Sequence, residues 1–146
     1  MMVAERALLV LLVDDDQGDV LMIREALESN SSSSRVVHVA NDGEEAMDFL
    51  RRRGRHADAP RPDVVLLDLN MPRMDGRQVL AEVKQDAELR NIPVVVLTTS
   101  RAPGDITASY SLHANAYVTK PMSLDDLTDV VHEIDNFFSR VAALPE

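Results

Sequence analysis

The sequence predicts an α/β fold: a parallel sheet of five strands, doubly wound, with helices on both faces. One observation is that short apolar runs alternate five times with longer amphipathic stretches, the pattern of repeated βα units rather than of a bundle or a sandwich. A second is where the distinctive side chains fall. Asp14-Asp15-Asp16 follows the apolar run Ala7–Val13, Asp68 follows Asp63–Leu67, and Lys120-Pro121 follows Ala116–Thr119. In a parallel sheet all three groups surface at one edge, where such folds build their sites.

Each element can be read in order. Ala7–Val13 is wholly apolar, as a strand covered on both faces must be, and the helix Gly18–Leu27 puts Val20, Ile23 and Leu27 on one side. Ser31–Ser34 is a surface loop before the second strand, Val36–Ala40. Asn41-Asp42-Gly43 is a turn or cap signal. The helix Glu44–Arg53 follows with Ala46, Phe49 and Leu50 inward and arginines at its end, where the helix dipole favours cations. Arg51, Arg52, Arg53 and Arg55 could bind phosphate or acidic partners, but a solvated helix end is the favoured reading. Gly54–Pro62 is a loop, Val64–Leu67 the third strand, and Arg77–Gln85 a helix burying Val79, Leu80 and Val83. The fourth strand is expected over Ile92–Leu97 with Pro93 near its start; Gly104–Leu112 is weakly helical, and Ala116–Thr119 is the fifth strand.

The last helix begins at Ser123, with Asp126 three residues on in a capping-box-like start, and runs to about Val141. Leu124, Leu127, Val131, Ile134 and Phe138 form one apolar stripe, while Val130, Phe137, Val141 and Leu144 form a second. One face of a sheet needs only the first. The second is either a tail folded back on its own domain or a homodimer seam, and the seam is favoured.

With 146 residues and 45% hydrophobic content the chain suits one domain, expected over 1–146 with its core at 7–143 and no output domain. Its formal charge of −10 argues against a nucleic-acid footprint. The absence of cysteine removes disulfides and thiolate metal sites and fits a cytoplasmic protein. Met1 to Arg6 lacks the cationic start of a signal peptide, and Ala7–Val13 is too short to cross a bilayer, so no membrane association is expected.

Adjacent carboxylates from the end of the first strand, facing Asp68 from the end of the third, repel one another unless a cation neutralises them. Without thiol or imidazole neighbours the set suits a hard, oxygen-loving ion such as Mg2+, with Asn70 able to add a carbonyl. Lys120 brings a mobile cation, and Thr98, just after the fourth strand, a hydroxyl donor. Metal, cation, hydroxyl and carboxylate are together what is needed to place a phosphoryl group on Asp68. Singly, each has a bland reading as a cap, turn or loop residue; their joint occurrence at one edge does not.

Leu11 to Asp16, Asp68-Leu69-Asn70-Met71-Pro72-Arg73-Met74-Asp75-Gly76, Leu97-Thr98-Thr99 and Tyr117-Val118-Thr119-Lys120-Pro121 together resemble the receiver domain of two-component response regulators. The match covers nearly the whole chain, with every motif in order. The resemblance implies a flavodoxin-like fold with strand order 2-1-3-4-5, in which Asp68 accepts a phosphoryl group from a sensor histidine kinase. It implies Mg2+ held by Asp14, Asp15, Asp68 and the Asn70 carbonyl. Lys120 would pair with the aspartyl phosphate, Thr98 would move to bond a phosphoryl oxygen, and Tyr117 would turn inward as the switch reporter. Lys120-Pro121 would carry a cis peptide that aims the lysine inward. Ser100 stands where the family varies to tune phosphate lifetime.

Asp16 leaves two metal registers, Asp14/Asp15 and Asp15/Asp16. The earlier pair is expected because the family's acids follow directly on the apolar strand, with Asp16 a loop or cap carboxylate. A narrower resemblance rests on Ser109 to Pro121, on Leu97-Thr98-Thr99-Ser100 and on the long Arg51–Pro62 connection. These look like the single-domain regulators paired with bacterial phytochromes, often dimeric through the C-terminal end. His113 lies in that motif and reads as a helix-end residue rather than a relay histidine.

The resemblance implies a switch protein, not an enzyme. Two other classes compete. Haloacid-dehalogenase-type phosphatases also form an aspartyl phosphate with Mg2+, and Asp14 and Asp16 have their spacing, but Asp68 would then be unexplained. A receiver that binds partners without phosphorylation is opposed by the presence of every acid, the threonine and the lysine.

Overall fold

The computed structural model describes residues 8–29 and 35–145. The readings made above for Met1 to Arg6, for Ala7 and for Ser31–Ser34 lie outside the described residues. Among the described residues five strands, β1 (Leu8–Val13), β2 (Arg35–Ala40), β3 (Val64–Leu67), β4 (Val94–Thr98) and β5 (Ala116–Thr119), alternate with five α-helices. These are α1 (Gln17–Ser29), α2 (Gly43–Arg51), α3 (Gly76–Gln85), α4 (Pro103–Ser111) and α5 (Leu124–Asn136). All four strand pairings are parallel, in the order β2-β1-β3-β4-β5. The flavodoxin-like architecture is as expected.

Alternation along the strands divides the interior into two layers. Leu11, Val13, Val65, Leu67, Val94 and Val96 face α2 and α3, whose Ala46, Phe49, Leu50, Val79, Leu80 and Val83 cover them. Leu8, Val10, Leu12, Leu66, Val95 and Leu97 face α1 and α5, through Val20, Ile23, Leu27, Leu127, Val131 and Phe138. Burying one such Leu or Ile contributes about 2 kcal/mol, so both layers are needed to offset the entropy of ordering the chain. The order of the strands reverses between β1 and β3, which opens a crevice outside their carboxyl ends.

Several local readings need correction. β4 starts at Val94 rather than Ile92, because Pro93 has no N–H to donate; its carbonyl instead accepts from Val65 N at 2.9 Å. α2 stops at Arg51 rather than Arg53. Arg52 adopts a left-handed conformation (φ 56°) and its N–H bonds back to Asp48 O and Phe49 O, which closes the helix. The Gly54–Pro62 loop contains a 3-10 turn at Gly54–His56. α4 begins at Pro103 and ends at Ser111, with His113 beyond it at φ 71°, a helix-end residue as read from the sequence.

The arginines are not simply solvated: Arg51 pairs with Glu82 (3.1 Å) and Asp86 (3.6 Å) of the α3 end, Arg53 with Asp48, and Arg55 with Glu45. At Ser123 the hydroxyl accepts from Asp126 N. The reciprocal capping box lies instead at α3, between Asp75 and Gln78. Leu124 is 62% exposed, not part of the inward stripe, because it occupies the first position of α5 before the helix reaches the sheet. The helix continues past Asn136 in a π turn, Phe137–Val141. Val130 and Leu144 of the second stripe pack on the core, whereas Phe137 and Val141 remain exposed.

Candidate functional site

The carboxyl ends of β1, β3, β4 and β5 bring together the residues singled out in the sequence. Asp14 is 1% exposed, and its N–H is fixed by Ala40 O at 3.1 Å. Asp68 is 9% exposed, with its N–H on Val13 O at 2.9 Å, so the two acids hang from adjacent paired strands. Asp15, two residues past the strand, is exposed. Carboxylate oxygens of Asp14, Asp15 and Asp68 lie within 4.8 Å of one another. Asp16 sits apart: its carboxylate accepts from Asp19 N at 3.0 Å as the N-cap of α1. Asn70 is exposed, two residues beyond Asp68, and its N–H approaches Asp68 Oδ1 at 3.5 Å.

Gly76 secures this corner of the site. A Cβ there would stand 2.1 Å from Asp68 O, so the first turn of α3 can pack against the Asp68 backbone only because position 76 has no side chain.

Lys120 reaches in from the end of β5. Its N–H donates to Thr98 O (2.7 Å), and its buried Nζ donates to Asp14 Oδ2 (2.6 Å) and Asp19 Oδ2 (2.9 Å), with Asp68 Oδ2 at 3.7 Å. The cis peptide implied at Lys120-Pro121 is a correction: the bond is trans. The lysine is aimed inward by its strand position and by the acids it meets. Burial works to lower the Lys120 pKa, but the hydrogen bonds it donates to Asp14 and Asp19 and the nearby carboxylates outweigh it, so the ammonium is held above its ordinary value. At Asp14 burial dominates and raises the carboxyl pKa, against the opposing Lys120 and Asp16 N–H hydrogen bonds. One lysine therefore does not fully compensate the acids.

Thr98, the last residue of β4, has a buried Oγ1 without a hydrogen-bond partner. Such a hydroxyl costs about 1–3 kcal/mol while it lacks a partner. Tyr117 is half-buried, its hydroxyl donating to Ser100 O at 2.9 Å. Asp19 is the residue that sequence reading missed. It occupies the first turn of α1, where an acid reads as a response to the helix dipole, and nothing local marks its reach to Lys120.

The arrangement can hold a hard divalent cation: the donors are all oxygens, one is buried and under-neutralised, and Asp15 leaves a side open to solvent. It also places a carboxylate, a buried ammonium and an unpartnered hydroxyl along one edge.

Comparison with known proteins agrees with this geometry. The family model described as response regulator receiver domain matches residues 10–132. Response regulator Rcp1 of Synechocystis sp. is 44% identical over 136 residues, covering 93% of this chain and 92% of its own. The crystal structure of the phosphorylated cyanobacterial phytochrome response regulator RcpA superposes with a TM-score of 0.94 at 47% identity, covering 97% of this chain and 100% of that one. The Mn2+-bound form of Rcp1 gives 0.90 at 44% identity, covering 94% and 99%. Strand order, acidic crevice and similarity over nearly the full length converge: this chain is a response regulator of the receiver-domain family.

Proposed function

We propose that Asp68 is the phosphoryl acceptor of this regulator, that Mg2+ is its metal, and that a sensor histidine kinase of the phytochrome type is its donor. The observation that carries the reading is the meeting of Asp14, Asp15 and Asp68 beside Lys120 Nζ. The side chains of Asp14, Asp15 and Asp68 with the Asn70 carbonyl would hold the ion. When bound, it neutralises negative charge where the carboxylates meet the phosphoryl oxygens.

Asp68 supplies a carboxylate oxygen that forms a bond to phosphorus as the bond to the kinase histidine nitrogen breaks; that nitrogen keeps the electron pair and later takes up a proton. Lys120 gains a new anion at Asp68 and shifts toward it from Asp14 and Asp19. Thr98 donates its hydroxyl to a phosphoryl oxygen, which gives the orphaned group a partner. Tyr117 and the β4–α4 connection carry the change to the surface of α4, β5 and α5, a two-state switch biased by one anion.

The chain acts as a single receiver domain over 1–146, not as an enzyme with turnover of its own, and signals through contacts rather than through nucleic acid. Among the described residues no helix is long and apolar enough to cross a membrane, which supports a cytoplasmic setting. Similarity to Rcp1 and RcpA supports the phytochrome assignment. The exposed Phe137 and Val141 support a homodimer through the C-terminal region. The test is phosphotransfer. An autophosphorylated bacterial phytochrome kinase should pass its label to this chain and not to Asp68→Ala, and faster than an unrelated histidine kinase does; equal rates from both would remove the phytochrome pairing.

A further inference from the structure

α4 is the least anchored helix of the domain. Ser109 is its one buried residue, and Ala102 at its N-cap offers no side-chain acceptor. Pro103 and Gly104 open its first turn. With so little apolar burial, polar contacts must fix the helix and the connection that leads into it from β4. Asp105 supplies them. Its Oδ2 accepts the Ser100 hydroxyl at 2.6 Å, and its Oδ1 is bonded by the guanidinium of Arg77 in the first turn of α3. Both contacts hold the Asp105 carboxyl below its ordinary pKa, Ser100 more than Arg77.

Ser100 is thereby held from two sides, its hydroxyl by Asp105 and its carbonyl by the Tyr117 hydroxyl at 2.9 Å. It lies two residues past Thr98, whose buried hydroxyl has no partner. Arg77 belongs to the same turn that packs on the backbone of Asp68 through Gly76. One chain of contacts, Arg77 to Asp105 to Ser100 to Tyr117, thus joins the connections that follow β3 and β4. An ordinary surface ion pair would contribute little. This one converges on a loop that must place a hydroxyl.

We propose that Arg77 and Asp105 are positioning residues which, through Ser100, hold the β4–α4 connection in the arrangement that Thr98 and Tyr117 need for phosphoryl transfer to Asp68. The proposal rests on Asp68 being the acceptor. Because Asp105 and Tyr117 act on different groups of Ser100, their effects should be coupled rather than independent.

The experiment is the initial rate of phosphoryl gain from acetyl phosphate in the presence of Mg2+, read by intact mass. The proteins are the parent chain, Asp105→Asn, Tyr117→Phe and the double variant, each also in a Ser100→Ala background. Each single variant should be slower by about threefold or more, the double no slower than the worse single, and the coupling should vanish with Ser100→Ala. Asp105→Glu, which keeps the charge, should recover part of the rate. Thermal melts of all variants separate loss of folding from loss of rate. If Asp105→Asn does not fold, Ser100→Ala alone must show a slowing of about threefold or more, since it deletes the hydroxyl that donates to Asp105.

Rates that multiply in the double variant, or an Asp105→Asn rate equal to that of the parent, would overturn the positioning role while leaving Asp68 as acceptor. A parent chain that gains no phosphoryl group, or an Asp68→Ala variant that still does, would overturn both.

Discussion

Lys120 is bonded to Asp14, with Nζ 2.6 Å from Oδ2 and both side chains almost fully buried. The third acid of the crevice, Asp68, stands farther from the ammonium, at 3.7 Å. In this state the lysine spends its charge on Asp14 and Asp19. On the proposed phosphorylation of Asp68, a new dianion there would compete for it, and the pair would then be a response held ready rather than a fixed structural bridge.

Removing the cation should therefore cost stability. Lys120→Met leaves Asp14 buried without its main partner, and breaking a buried pair in this way costs about 3 kcal/mol. Urea unfolding at neutral pH in metal-free buffer should show the loss. Added Mg2+ should recover part of it, because a ligand that binds only the folded state stabilises it. An unchanged unfolding midpoint would contradict the account.

Gly76→Ala tests the backbone of the site. Its Cβ would meet Asp68 O at 2.1 Å, so either the first turn of α3 or the Asp68 peptide must move. We expect a loss of about 3 kcal/mol, typical of severe overpacking, together with a phosphorylation rate reduced at least tenfold. A variant as stable and as reactive as the parent would show that the close approach is not required.

Glu45 supplies a pH dependence away from the metal crevice. Burial works to raise its pKa, but hydrogen bonds from Asn41 N (2.8 Å) and from Arg55, with His56 beside it, hold the carboxyl below its usual 4.5. A carboxyl with a depressed folded-state pKa contributes stability that is present above pH 4.5 and lost as the pH falls through the folded value. Glu45→Gln should lower stability by about 1 kcal/mol at pH 7, and the gap should close in acid. A gap that widens below pH 4.5 would reverse the sign and refute the assignment.

The exposed pair at the C-terminal end makes a separate prediction. Phe137 is 50% and Val141 73% exposed, while their neighbours Phe138 and Leu144 pack on the domain's own core. On the proposed homodimer, replacing Phe137 and Val141 by Asp should leave a monomer in sedimentation velocity with little effect on melting temperature, since neither side chain belongs to the core. A dimer that persists would place the seam elsewhere.

What the sequence disclosed and what it hid differ in range. β1, β3 and β4 are legible because strands buried on both faces must be apolar throughout, and the acids that end β1 and β3 are conspicuous for the same reason. Asp16 as an N-cap and His113 as a helix-end residue are equally local signals. The bond from Lys120 to Asp19 and the chain from Arg77 to Asp105 join residues far apart in the chain, and only the fold juxtaposes them. Element boundaries shifted by a residue or two where a left-handed Arg52 closed α2 or the missing N–H of Pro93 delayed the start of β4. Leu124 fits the apolar stripe by periodicity, but α5 has not yet reached the sheet at its first turn.

The central claim is that Asp68 takes the phosphoryl group with the help of a divalent cation. Intact mass after incubation with acetyl phosphate, with and without Mg2+ and beside Asp68→Ala, tests it most directly. The account predicts a single phosphoryl addition that needs Mg2+ and is absent from Asp68→Ala. No addition to the parent chain under any condition would contradict it in favour of a phosphorylation-independent binding module, and addition that survives in Asp68→Ala would move the acceptor to another acid, with Asp14 the first to examine.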